Sequence, residues 1–331
     1  MHRLRWTLSA LAGLGLSCAS ARAVAGEGGG RPLTEQEIAA GAFLLRSGRL
    51  AATLMVPDRP ASPYVGQRFE GGAVVMQVTL DGQHTFLGKE RRTDRRGGIG
   101  LIEEIGISAA VAYELAKPGE EFLKLGVGLL RRDDDPGYRF WIAYPAAERF
   151  PWEVAVAAQS AAFVQVGKPF RGTAYRYEKR VVLDADLPVL RIEHALANTG
   201  EKPIATDQYC HNFLRFDDAP PGPDYAVTAD FALKPQGQTP PFDIAGRSLM
   251  IREAVKDALY GRFVGQDAAL RSHALRATHK GNGREAAITG DFPVAYLAYY
   301  VDPGAISPEA FCAIRVAPGD TFRWTRTYAF K

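Results

Sequence analysis

The sequence predicts an all-β protein of antiparallel strands with one short N-terminal helix, and three observations carry that expectation. Beyond residue 51 the chain is a succession of short runs rich in Val, Ile, Tyr and Phe, punctuated by Gly, Pro and Asp. Asp81-Gly82 and Asn198-Thr199-Gly200 stand between such runs, where a hairpin needs residues that tolerate left-handed backbone. No helical pattern alternates with the runs, as a parallel βαβ arrangement would require. So many half-apolar strands need two stacked sheets to cover each other. The 331 residues, 47% hydrophobic and 23% charged, supply enough apolar surface for that core.

In order along the chain, residues 1–25 read as a secretory leader. His2, Arg3 and Arg5 form a positive start, 6–16 an apolar stretch too short to span a bilayer, and Ala21-Arg22-Ala23 a cleavage site. Cleavage after Ala23 or after Ala25 fits equally, and the expected location is periplasmic or secreted. Residues 26–50 hold a Gly-rich linker and then a helix, because Thr34 and Glu37 form a capping box ahead of Ile38, Phe43 and Leu44; the pattern extends it to about Arg49. Residues 51–331 form the β domain, with strands expected at 73–80, 122–130, 138–144, 153–166, 176–183, 190–197, 224–233, 295–301 and 321–330. Pro-rich 219–223 and 236–241 read as loop rims. Residues 247–270 carry helix-like spacing at Ile251, Val255 and Leu259 and read as an excursion on a rim. No fixed-period repeat is visible, which excludes a propeller or solenoid.

Loss of the leader removes Arg3, Arg5 and Arg22 and no acid, so the formal charge of +3 falls to zero and nothing calls for nucleic acid or an anionic membrane. Cys18 leaves with it, and Cys210 and Cys312 remain as two separate buried thiols or, in an oxidising compartment, a pair. The chain has no G-x-S-x-G elbow, H-E-x-x-H, C-x-x-C or phosphate-binding loop, and its six histidines are scattered. No cofactor and no metal is expected.

The candidates for chemistry are polar groups set in strand-like sequence. His211 lies in the aromatic run from Tyr209 through Asn212, Phe213 and Phe216. Arg68 precedes the first long strand, as a surface ion pair or as a grip on a ligand hydroxyl. His84 follows a tight turn, solvated or reaching a rim. Glu103 and Glu104 are adjacent in an extended segment, so at most one enters a given cleft. Lys124, in an apolar strand, wants a carboxylate partner, and Glu309 enters the next-to-last strand. A carboxylate and an imidazole facing one cleft can move protons at a sugar's anomeric hydroxyl and ring oxygen. Carboxylates, Arg and aromatic faces also bind sugars without turnover.

With these residues in view, the chain resembles the galactose mutarotase-like, or aldose 1-epimerase-like, superfamily. The resemblance runs from residue 60 to the end. It rests on 64–69 with Arg68, on 81–88, on 124–130, on 196–204, on Tyr209-Cys210-His211-Asn212-Phe213, and on the closing 318–330. It implies a β-supersandwich, with His211 as general acid, Arg68 as binding arginine and Glu103 or Glu104 near the ring oxygen. It also implies a catalytic Glu in a late Cys-Leu-Glu strand. This chain reads Phe311-Cys312-Ala313-Ile314-Arg315 there, so Glu309 takes the role of base only if the strand is displaced. The expected protein is an exported aldose epimerase or mutarotase acting on a sugar or oligosaccharide, with His211 and Glu309 catalytic. Arg68, His84, Glu103, Glu104, Lys124, Tyr209 and Asn212 are its expected binding groups. The alternatives are a non-catalytic glycan-binding protein and a polysaccharide lyase or hydrolase on the same fold.

Overall fold

Two large antiparallel sheets are stacked face to face in the computed structural model of the protein, which describes residues 30–92, 94–134 and 137–331; the expected leader lies outside the described residues. One sheet has ten strands, with Glu285–Gly290, Thr321–Phe330, Val189–Asn198, Thr173–Leu183 and Ser160–Phe170 side by side in one half of it. The other has seven, in the order Ala42–Ser47, Leu50–Met55, Val75–Leu80, Leu101–Ile105, Ile204–Asn212 and Cys312–Val316, with His84–Thr85 beside Val75–Leu80. Two three-stranded sheets complete the fold. Leu259–Val264, Tyr296–Asp302 and Ala305–Ala310 form one; Glu121–Lys124, Gly128–Arg131 and Ala146–Arg149 form the other.

The seven-stranded sheet is covered on both faces, and this positions the site. Leu101, Ile105 and Cys210 face the large sheet and join its core with Phe163, Tyr177, Ile192 and Trp324. Ile102, Tyr209 and Phe213 point the other way, into a second apolar cluster with Tyr64, Phe69, Ala305 and Phe311. All five residues of Leu101–Ile105 are therefore buried. Fully burying each large side chain contributes about 2–3 kcal/mol, so the doubly covered strand is among the most firmly held. Its polar residues are held with it.

Several elements differ from expectation for identifiable reasons. The capping box forms, with Thr34 accepting from the Glu37 amide, and is worth about 1 kcal/mol. The helix nevertheless ends after Glu35–Ala40, because Gly41 adopts φ +67° as its left-handed cap. Phe43 then belongs to a strand paired with Leu50–Met55. The run 122–130 is a hairpin rather than one strand, turned where Gly126 sits at φ +78°. Residues 138–144 form no strand, and Tyr138 and Tyr144 instead pack with Tyr113 and Phe122 in a separate aromatic cluster. Residues 247–270 contain no helix. Strands Ser248–Met250 and Leu259–Val264 bury Leu249 and Phe263, an alternation that the three apolar positions at helical spacing concealed. Cys210 and Cys312 are free and buried. Among the described residues no helix is long and apolar enough to cross a membrane.

Candidate functional site

Strand alternation sorts the polar residues of the seven-stranded sheet onto two faces. Tyr209 and His211 face away from the large sheet, as does Glu104, the residue paired with Tyr209 across the strands. Gln208 and Cys210 face the large sheet, with Glu103 opposite Cys210.

On the outward face His211 stacks on Phe213 with ring centroids 4.0 Å apart, and Phe69 and Tyr300 meet it edge-on. Its Nε2 lies 3.1 Å from Oε1 of Glu309, which comes from Ala305–Ala310 in a different sheet. Ser307, two residues earlier on the same face, donates to that oxygen at 3.1 Å. Both members of the pair are buried, at 3% and 4% exposure, so a ligand has to part them to reach either. Burial pushes the Glu309 carboxyl up to about 8, against the opposing influence of Arg68 and Ser307. Burial, and next the Arg68 charge, hold the imidazole well below its ordinary value. Both shifts favour a carboxylic acid beside a neutral imidazole at neutral pH.

Beside the pair, Glu104 is a buried carboxylate with two cations. Arg68 Nε donates to it at 3.0 Å and Lys124 Nζ at 2.8 Å, and the Tyr209 hydroxyl adds a third bond at 2.8 Å. Arg68 Nη2 donates to Tyr209 Oη at 2.8 Å, and its guanidinium lies between the rings of Phe69 and Phe140, 4.5 Å from each. Burial works against the Arg68 charge, but Tyr209 and Glu104 outweigh it and hold the group cationic. Lys124 also reaches Tyr138 Oη, so the partner its sequence position called for is Glu104. A cleft of about 160 Å³ opens to solvent over Arg68 and Phe69, walled by Phe140 and Trp141.

Three expected binding groups lie elsewhere. Glu103 points between the sheets, where His194 Nε2 at 2.9 Å, Lys179 at 2.6 Å and Gln208 at 2.9 Å surround it. Burial would raise this carboxyl, but His194 and Lys179 hold it well below the usual range. Asn212 also faces the large sheet, donating to Pro308 O and accepting from Tyr328 Oη. His84 is turned to Asp217, 3.0 Å from its Nδ1, and makes no contact with the His211 group. Among the described residues no cluster of three or more His, Cys, Asp or Glu side chains is arranged to hold a metal.

No family model matches the chain, and no curated protein matches it significantly. Solved structures do. A putative aldose 1-epimerase from Escherichia coli K12 superposes with a TM-score of 0.58 at 14% identity, over 88% of this chain and 98% of that one. A galactose mutarotase-like protein from Lactobacillus casei gives 0.54 at 12%, over 88% and 100%. A galactose mutarotase related enzyme from Lactobacillus acidophilus gives 0.54 at 10%, over 88% and 97%. The chain has the galactose mutarotase-like fold.

At such identities the likeness carries the fold alone, and the candidate site of this chain rests on its own geometry. Sequence reading missed Ser307, although Ser307-Pro308-Glu309 at a strand period of two places the serine on the face of Glu309. It also missed Phe140, from a segment expected to be a strand.

The protonation of the pair gives a stability prediction. Folded Glu309 keeps its proton up to about 8 whereas the unfolded group loses it near 4.5, so its contribution is present at low pH and is lost as pH rises. His211 has the opposite sign, costing stability only below its ordinary value of 6.5. Below about pH 6.5 the two oppose each other, and above it the Glu309 contribution falls by about 2 kcal/mol from about pH 6.5 to 8.5. Glu309→Gln removes that fall. Glu70, pushed up to about 7 by burial, titrates in the same window, so the readout is the difference between wild type and variant in urea unfolding. Parallel curves would show that Glu309 is ionised in the folded protein.

Proposed function

We propose that this chain is an aldose epimerase-like enzyme that interconverts anomers of a free sugar by acid and base catalysis. The observation that carries the reading is the 3.1 Å contact between His211 and Glu309, two groups that share one titratable proton in a buried site beside a charged cluster. Moving that proton from Glu309 Oε1 to His211 Nε2 yields a carboxylate and an imidazolium. With a sugar between them, Glu309 takes the anomeric hydroxyl proton and His211 delivers one to the ring oxygen as the C1–O5 bond breaks. The open aldehyde turns about C1–C2, and the reverse transfers close the other anomer with both groups restored. In this reading Arg68, which lines the cleft, orients a sugar hydroxyl, while Tyr209 and Glu104 hold its guanidinium in position.

One observation favours a second reading, a glycan-binding protein without turnover: the pair is closed on itself and buried. Proton NMR of freshly dissolved α-galactose and α-glucose separates the two. Faster loss of the α anomeric signal with catalytic amounts of protein is the expected result. An unchanged rate overturns the enzymatic reading.

We also propose that the mature chain is exported after cleavage near Ala23 or Ala25, on the strength of the basic start and apolar run of residues 1–25. The intact mass of protein from the periplasmic or secreted fraction tests it; an uncleaved chain refutes it.

A further inference from the structure

The loop 89–96 reads Lys-Glu-Arg-Arg-Thr-Asp-Arg-Arg, a formal charge of +3 within eight residues of a chain whose total is also +3. Arg91, Arg92, Arg95 and Arg96 are all exposed, and none lies in a helix or strand. Part of the charge is used locally. Arg92 is paired with Asp94 through two hydrogen bonds of 3.1 and 2.9 Å, and Arg95 donates to the Pro60 carbonyl. Arg96 is different: among the described residues no carboxylate lies within ion-pair distance of its guanidinium, and it lines the cleft above Arg68. Among the described residues the one carboxylate in the cleft wall, Glu90, accepts from the Gly98 amide at 3.0 Å.

The floor adds to this field. Glu104 has a single negative charge and faces two cations, Arg68 and Lys124, so the cluster beneath the cleft is net positive. The opposite wall supplies an apolar platform. Trp141 is 63% exposed, and Phe140 meets it edge-to-face at 4.9 Å. A flat aromatic face suits the C–H face of a sugar ring, while an unpaired guanidinium suits the two oxygens of an anion.

We propose that the mouth of this cleft is a subsite for an anionic substituent on the sugar, a carboxylate or a phosphate, with Arg96 as the residue that recognises it and Trp141 as the surface on which the ring lies. It rests on the reading above that the protein takes a sugar beside Arg68, the residue that the cleft shares with the candidate site. It goes further in assigning the substrate to the acidic sugars, where the sequence indicated only a sugar or oligosaccharide.

The test measures binding apart from turnover, with methyl glycosides that cannot change anomer. Titration calorimetry with methyl α-glucuronide, methyl α-glucoside and methyl α-glucoside 6-phosphate compares acid, neutral and phosphate forms on one ring. Tighter binding of either anionic glycoside, lost by about tenfold in Arg96→Gln and weakened by salt, is the expected result. The preferred anion then tells carboxylate from phosphate. Equal affinity for the neutral glycoside, or a preference for the anion unchanged by Arg96→Gln, overturns the subsite. Anomer exchange of glucuronate and glucose is followed by NMR in parallel. Exchange of glucose without any anion preference leaves the acid and base chemistry standing and removes only the subsite. An anion preference without exchange removes the chemistry and retains the subsite.

Discussion

Replacing His211 by Ala, or Glu309 by Gln, lowers the catalysed rate of anomer exchange by a factor of about 10² to 10⁴, the usual worth of a positioned acid or base. The two substitutions act on one proton inventory, so the double variant is scarcely worse than either single one. Glu309→Gln retains a group of the same size that still bonds Ser307, so loss of activity in a normally folded protein isolates the proton transfer. The anomeric NMR signals provide the rate and near-ultraviolet circular dichroism the fold. Full activity in Glu309→Gln would show that another group serves as base. A product of the two single losses in the double variant would show that the residues act independently.

Glu103→Ala lowers the unfolding free energy by about 3–5 kcal/mol, the cost of leaving buried charges without their counter-charge. Lys179 retains Glu70 at 2.9 Å, but His194 loses its Nε2 partner, and Arg326 loses a carboxylate 3.8 Å from its Nε. Urea unfolding is the measurement, and a loss under about 1 kcal/mol would mean that Lys179 and Glu70 satisfy the cluster by themselves. The contrast is Arg49 with Asp81. This pair is as short, at 2.5 Å, but both side chains are exposed, so solvent screens it and Arg49→Ala leaves the unfolding midpoint unchanged.

Much of this arrangement was legible in the sequence wherever a local rule is also the global one. Alternating runs such as 190–197 and 321–330 became strands within a residue or two at each end because their burial pattern has a single solution. The adjacency of Glu103 and Glu104 was enough to say that at most one enters a given cleft, but which of them shares the face of His211 depends on which face the large sheet covers, a fact of topology. Asn212 could have been assigned to the back by the same alternation once His211 was placed in front. His84 and Glu309 illustrate the opposite limit. Their partners, Asp217 and His211, are 133 and 98 positions away, and no local pattern reports a pairing between elements so far apart in the chain. The helix end at Gly41 was missed because Phe43 and Leu44 fit helical spacing as well as strand alternation.

The alternation of Ile204–Asn212 also bears on how this protein can change over evolutionary time. A single-residue insertion or deletion within that strand would carry His211 to the interior between the sheets and present Cys210 or Asn212 to the cleft, exchanging the whole polar complement of both faces at once. Length variation in lineages that preserve this site is therefore confined to the connecting loops or to steps of two residues within the strand. The segment carrying the Arg-rich run, between Val75–Leu80 and Leu101–Ile105, lies largely outside the sheets and is under no such constraint. Substitutions can accumulate there while His211 and Glu309 stay in register.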